Sequence, residues 1–190
     1  MSSREKILDV SLDLFYRNGY QATSVDDIIA QAAVSKSNFY YHFKSKEELG
    51  LEVLNQRRME LEKSLDCMLG DCEQCSKARL LKFVDFLVDS QEAELAKCGC
   101  PFGNLVAEMA EHSERFRCYL KEIFHSMTTR IASVVGDGQK HGSFRDDISA
   151  DDVAALFVQA TQGMLLMTKC QKSAATLGRG ARLLVKLISK

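Results

Sequence analysis

Two groups of residues in this sequence have the types and spacing to do chemistry. The first is sulfur. Cys67, Cys72 and Cys75 stand at C-x4-C-x2-C spacing, and Cys98 and Cys100 form C-x-C. Thiolates are soft metal ligands, and the first spacing with one distant Cys also occurs in plant-type iron–sulfur ligation. Cys67, however, falls on a helical pattern, and no binding-loop glycines surround the three. The expectation is therefore no metal and no cofactor, with these residues packing as small apolar groups. Cys98 and Cys100 carry an alternative, because Cys100 opens a helical stretch and Lys97 is close in sequence. A helix N-terminus and a cation both favour thiolate, which is the chemistry of redox or electrophile sensing.

Other candidate chemistry is sparse. His42, His112, His125 and His141 show no metal-ligand spacing. His125 lies on an otherwise apolar helical pattern, where a hydrogen-bonded core histidine is expected. Glu108 and Glu111 are one turn apart, a spacing that suits paired carboxylates but fits a solvated face or a dimer or domain contact better. No nucleophile–base pattern, Walker-type loop or dinucleotide-type glycine motif is present, so no catalytic residue and no enzyme activity are expected. A cysteine-dependent enzyme or an interaction module remains the rival class.

The second group is the stretch SKSNFYYHFKSKEEL, Ser35 to Leu49. At about 100° per residue, Phe39 and Phe43 share the inward side of a helix, with Val34 under the turn. Ser37 and Tyr41 point away from it. Lys36 and Tyr40 fall on one shoulder, Asn38 and His42 on the other. The outward side is thus nearly all hydrogen-bond donors without paired carboxylates, which suits a phosphate-lined groove. Asn38 could pair with adenine N6 and N7. Lys46, opening the next helix beside free backbone N–H groups, adds a phosphate site. The bland alternative is a solvated amphipathic helix whose tyrosines reach the surface.

The elements that must position these residues are helical. A chain of 190 residues with one Pro, 11 Gly and no long apolar–polar alternation reads as all-α. Hydrophobic residues at 46% and charged residues at 27% describe a globular chain able to bury a core. A net charge of −1 argues against a globally basic nucleic-acid binder while allowing a local basic surface. The start, MSSREKILDVS, lacks a leader pattern, and no apolar run is expected to reach the length of a membrane span. A cytoplasmic protein with no membrane partner is the expectation, so its thiols should be reduced.

Ser2-x-x-Glu5 predicts a capping box, opening a helix that ends at Asn18-Gly19. Thr23-Ser24 precedes a short helix with Ile28, Ile29 and Ala32 inward. Ala33-Val34-Ser35 is the break before the third, so the pattern is helix-turn-helix. A long helix is expected from Lys46 to Leu69, with a break in pattern at Gly70-Asp71-Cys72. Further helices are expected near Lys77–Gln91, Pro101–Glu111, Ser113–Val135, Ala150–Lys169 and Ser173–Ser189. Gly136 to Ser149 reads as a polar loop. The last two helices carry apolar stripes: Val153, Leu156, Phe157, Ala160 and Met164, then Leu177, Ala181, Leu184 and Ile188. Pairing them across a two-fold axis predicts a four-helix homodimer interface with Arg179, Arg182 and Lys186 outside.

From Arg4 to about Leu51 the sequence resembles the DNA-binding domain of the TetR family of transcriptional regulators. The likeness is carried by Asn18-Gly19-Tyr20, TSVDDIIAQA and VSKSNFYYHFKSKEEL. A second segment, GCPFGNLVAEMA from Gly99 to Ala110, is similar to the G-C-P-x-G-x-L-A-x-E segment of one subgroup, with Val106 where Ala is usual. The resemblance implies a DNA-binding domain over 1–50 and a helical ligand-binding and dimerisation domain over 51–190. It implies a homodimer, most simply a repressor, on a palindromic operator. Tyr40, His42, Lys46 and Thr23 or Ser24 would touch phosphates; Ser35–Tyr41 would be the recognition helix, with Ser37, Asn38 and Tyr41 toward bases. A small, mostly apolar inducer would sit among Phe83, Leu87, Cys100, Phe102, Leu105, Met109, Phe124 and Met127, some of which are otherwise plain core. Ala33 and Ser37 stand where many relatives have Gly. Ala33 is thereby expected in a turn that prefers positive φ, at a cost of about 1 kcal/mol.

Overall fold

The computed structural model describes residues 1–70, 74–92 and 98–190. Among the described residues the regular structure is nine helices, as expected of an all-α chain, plus an isolated bridge between Phe144 and Ser189. The helices are α1 (Ser3–Asn18), α2 (Val25–Ala32), α3 (Lys36–His42), α4 (Lys46–Leu69), α5 (Ser76–Glu92), α6 (Pro101–Met109), α7 (Glu114–Lys140), α8 (Ala150–Gln171) and α9 (Ala175–Ile188). Cys72 and Lys97 lie outside the described residues, and with them the complete C-x4-C-x2-C set and the approach of Lys97 to Cys100.

The chain divides into two compact units: Met1–Glu60 with Pro101–Cys118, and Leu61–Cys100 with Tyr119–Lys190. In the first, local signals set the helices. Ser2 Oγ accepts the Glu5 N–H at 3.2 Å, while the Glu5 carboxylate accepts the Ser2 N–H at 2.7 Å. Ser24 and Asp27 make the same reciprocal pair at the start of α2. Ser35 Oγ accepts the Asn38 N–H to start α3. Ala33 ends α2 at φ 52°, ψ 46°, the left-handed conformation expected of it. Ile7, Leu8 and Leu14 of α1, Ile28 and Ala32 of α2, Phe39 of α3, and Phe43, Leu49 and Val53 form one buried cluster. Burying each large side chain is worth about 1.5–3 kcal/mol, which is why a seven-residue helix too short to persist alone is held in place.

In the second unit α9 packs against α8 and α5. Phe83 and Phe157 lie with ring centroids 6.3 Å apart in a core that includes Leu80, Val84, Ile131, Leu177 and Val185. Arg79 is buried there, a feature no local pattern announces. It donates to the Leu69 carbonyl, one of the orphan acceptors at the end of α4, and to Asp137 at 3.1 Å.

Two expectations fail here. The predicted polar loop from Gly136 is instead a continuation of α7 to Lys140. Gly138 keeps that turn helical while leaving room for the buried Phe144 ring, which occupies the space a side chain at 138 would need. The expectation that no apolar run reaches membrane-span length also fails, because α8 is long and apolar enough by length and composition. Its apolarity has a structural account on one face: Val153, Ala154, Phe157, Val158 and Leu165 are buried in the unit's core.

Candidate DNA-binding surface

The two sides of α3 differ as helical periodicity requires. Phe39 is fully buried and Phe43 nearly so, whereas Tyr41 is 77% exposed and Tyr40 42%. Ser35, Lys36 and Ser37 are exposed, with the two serine hydroxyls 3.0 Å apart. Lys36 reaches Asp26 at 3.4 Å, a solvated pair worth little and easily exchanged for a phosphate. His42 is half-buried, edge-on to the Tyr41 ring at 5.0 Å. Asn38 is also half-buried, and its Oδ1 is enclosed without a hydrogen-bond partner among the described residues. Pairing with adenine needs both ends of the amide, so this side chain must rotate to do so.

The start of α2 offers one exposed hydroxyl rather than two. Thr23 is buried, and its hydroxyl donates to the Gly19 carbonyl at 2.8 Å. Ser24 is exposed but engaged with Asp27, whose carboxyl is held below its ordinary range by the Ser24 hydroxyl and backbone N–H. Lys46 is partly buried. Its ammonium sits 4.3 Å from the centre of the Tyr20 ring and 3.4 Å from the Gln21 carbonyl. Burial lowers its pKa, against the pull of Glu108 and Asp27. Tyr20 is itself buried; that burial, with Glu47 nearby, pushes its pKa up to about 12.

The turn between α1 and α2 is therefore clamped, through pairings that sequence reasoning did not make. The Glu108 carboxylate accepts the Gln21 N–H at 2.9 Å, and Gln21 Nε2 approaches Met109 Sδ at 3.4 Å. Glu47, at the start of α4, accepts from the Ser113 hydroxyl at 2.6 Å and from Arg115 at 3.1 Å. The Ser113 hydroxyl is the main cause of the lowered Glu47 pKa. Glu111, read beside Glu108 as a possible partner, is exposed and takes no part in this contact. Nothing local could have revealed these pairs, because the partners are far apart in sequence.

Between α1, α4 and α6 of this unit lies a small cleft that opens to solvent. Leu12, Phe15, Tyr16, Tyr20, Phe102 and Leu105 supply apolar surface to it, and Arg57, Asn104 and Glu108 polar surface. The residues expected to form an inducer pocket are divided. Phe102, Leu105 and Met109 belong to this unit, the first two lining the cleft. Phe83, Leu87 and Met127 are buried in the core of the second unit, with Cys100 and Phe124 packed against it. His125 is exposed rather than a core histidine. Among the described residues no group of three His, Cys, Asp or Glu converges on a metal site.

The expected dimer stripes are divided as well. Val153, Phe157, Leu177 and Ala181 are buried in the chain's own core, and Met164, Leu184 and Ile188 pack against it. Ala160 is half-buried, and Leu156 is 60% exposed. Each helix has a second stripe that sequence reading did not separate from the first: Leu156, Leu166 and Met167 on α8, Leu183 and Leu187 on α9, all exposed. Arg179, Arg182 and Lys186 are exposed, with Arg182 paired to Asp85.

A short capped helix held by two phenylalanines and preceded by a tight turn from α2 completes a helix-turn-helix. A family model described as "Bacterial regulatory proteins, tetR family" matches residues 7–53, and one described as "Tetracyclin repressor-like, C-terminal domain" matches residues 76–184. The chain belongs to the TetR family of transcriptional regulators. It is 28% identical over 170 residues to the HTH-type transcriptional repressor DhaR of Mycobacterium sp. strain GP1, covering 90% of this chain and 84% of DhaR. It is 33% identical over 131 residues to an HTH-type regulator in the lacX 3' region of Lactococcus lactis, covering 69% and 67%. A TetR-family regulator from Agrobacterium tumefaciens has the same fold, with a TM-score of 0.92 at 21% identity over 100% and 98% of the two chains.

Proposed function

We propose that this regulator acts as a homodimeric repressor on a palindromic operator and is released by a small, mostly apolar inducer. The observation that carries the reading is the split of α3 into a buried Phe39–Phe43 side and an exposed donor side. In this reading Ser37, Tyr41 and a rotated Asn38 face bases, while Ser35, Lys36, Tyr40, His42 and Lys46 meet phosphates. At the start of α2 the phosphate contact falls to Ser24, since the Thr23 hydroxyl is already committed to Gly19. Residues 1–50 would serve DNA binding and 51–190 ligand binding and dimerisation.

The exposed stripes of α8 and α9, Leu156, Leu166, Met167, Leu183 and Leu187, support the homodimer. Apolar rows of this kind on neighbouring helices match the self-complementary patch a two-fold interface needs. The dimer would set two recognition helices in successive major grooves. An inducer need only bind the other spacing more tightly by a few kcal/mol to empty the operator. The continuous α4, from Lys46 to Leu69, would be the lever.

The test is selection of bound DNA from a random or genomic pool by the full chain. Enrichment of a palindrome supports the reading, and no sequence-specific enrichment rejects it. The thiol alternative keeps the DNA binding but makes Cys98 and Cys100, both half-buried, the signal carriers. Replacing both by Ser would then abolish the response to oxidant or electrophile and spare operator binding.

A further inference from the structure

We propose that the cleft between α1, α4 and α6 is an effector site for a flat aromatic anion. The proposal rests on the reading of the chain as a ligand-responsive operator-binding regulator. Phe15, Tyr16, Tyr20 and Phe102, with Leu12 and Leu105, line the cleft, and side chains of this kind suit a planar apolar body.

Its charges are segregated along its length. On α4, Gly50 and Arg57 both line the cleft, and seven residues of helix separate them by about 10 Å. On α6, Pro101 and Glu108 line it with the same separation, about 10 Å by helical rise. Gly50 and Glu108 mark one end, because the Tyr20 ring meets Gly50 and the Glu108 carboxylate holds the adjacent Gln21. Arg57 stands toward the other end of α4's contribution. Its Glu60 partner, at 2.9 Å, is half exposed and one helical turn away. Such a pair is weak and exchanges readily for a ligand carboxylate, which a guanidinium can grip with two parallel hydrogen bonds. The Glu108 carboxylate repels an anion from the opposite end, which fixes the orientation of the occupant.

The position gives the site a consequence. Tyr20 lines the cleft and also adjoins Gln21, whose N–H is held by Glu108 and whose carbonyl accepts from Lys46. An occupant that displaces the Tyr20 ring loads the turn that leads into α2. Ligand binding there shifts the operator-competent population if the two states differ at this turn.

The test uses the full chain with 2-naphthoate as fluorescent probe and 2-naphthol as its uncharged counterpart, read by polarisation. Saturable binding of 2-naphthoate is expected, and Arg57→Gln should weaken it about tenfold while changing 2-naphthol by less than about twofold. Leu105→Trp should block both probes by filling the cleft. Absence of saturable 2-naphthoate binding, or equal affinity in wild type and Arg57→Gln, overturns the proposal. Arg57 is only half-buried, so that variant decides the matter even where Leu105→Trp does not fold. In parallel, 2-naphthoate should weaken binding to a DNA fragment recovered by selection. If the chain enriches no DNA sequence, the regulator reading fails; if it enriches one yet Arg57→Gln does not discriminate the probes, only the cleft assignment fails.

Discussion

The Glu108 carboxylate accepts the Gln21 backbone N–H at 2.9 Å, joining residues 87 positions apart in the chain. Gly19, next to this contact, adopts φ +93°, and a side chain there would come within 3.0 Å of the same carboxylate. A hydrogen bond to a charged group is worth more than a neutral one, and its loss leaves a backbone donor without a protein partner. Glu108→Ala should therefore lower stability by about 1–2 kcal/mol. Glu108→Gln, which retains an acceptor, should cost less than Ala. Urea unfolding of the two variants checks the order.

Gly50 is a second point of close approach. A Cβ at this position would lie 2.6 Å from the Tyr20 ring and 2.8 Å from the Phe116 ring, both buried. Helix propensity favours Ala over Gly by up to about 1 kcal/mol, but overpacking costs about 1–3 kcal/mol. Gly50→Ala is expected to be destabilising on balance, seen as a lower Tm.

Ala33 gives the opposite expectation. Its φ of 52° places an L-residue in the left-handed region, at about 1–2 kcal/mol. Glycine removes that strain while adding freedom to the unfolded chain, worth about 0.4–1 kcal/mol the other way. Ala33→Gly should gain about 0.5 kcal/mol, measured as a higher urea midpoint with an unchanged m-value.

Tyr20 makes a pH prediction. Burial raises its pKa from 10.0 to about 12, so the folded chain keeps the phenol proton where the unfolded chain has lost it. The group's contribution to stability is complete below pH 10 and is lost as pH rises through 12. Ultraviolet difference titration should show Tyr20 ionising at the upper end of this window. Tyr20→Phe should remove that late step; a wild-type curve without it would contradict the assignment.

Tyr41 separates DNA binding from folding. At 77% exposure its side chain contributes little to the core, so Tyr41→Ala should change stability by less than about 0.5 kcal/mol. Loss of a base-facing contact should weaken operator binding by about tenfold or more. Retained affinity in a gel-shift assay would remove Tyr41 from the proposed surface.

The sequence alone determined what depends on neighbours within a few residues. Ser2 with Glu5, and Thr23-Ser24, announced two helix starts because a capping hydroxyl needs only its own first turn. The alternation around Phe39 and Phe43 separated the sides of α3 because helical geometry fixes side-chain direction. The strained turn at Ala33 was legible through the family resemblance instead, because many relatives carry glycine there. The tertiary structure decided what depends on partners distant in sequence. It continued α7 through Gly138 because Phe144 folds back onto it, and it buried Arg79 because the end of α4 and Asp137 supply acceptors. It placed Glu108 on Gln21, and it chose which apolar stripe of α8 and α9 turns inward. A stripe's periodicity shows that a helix has an apolar side, but only the packing of other helices fixes which side is covered.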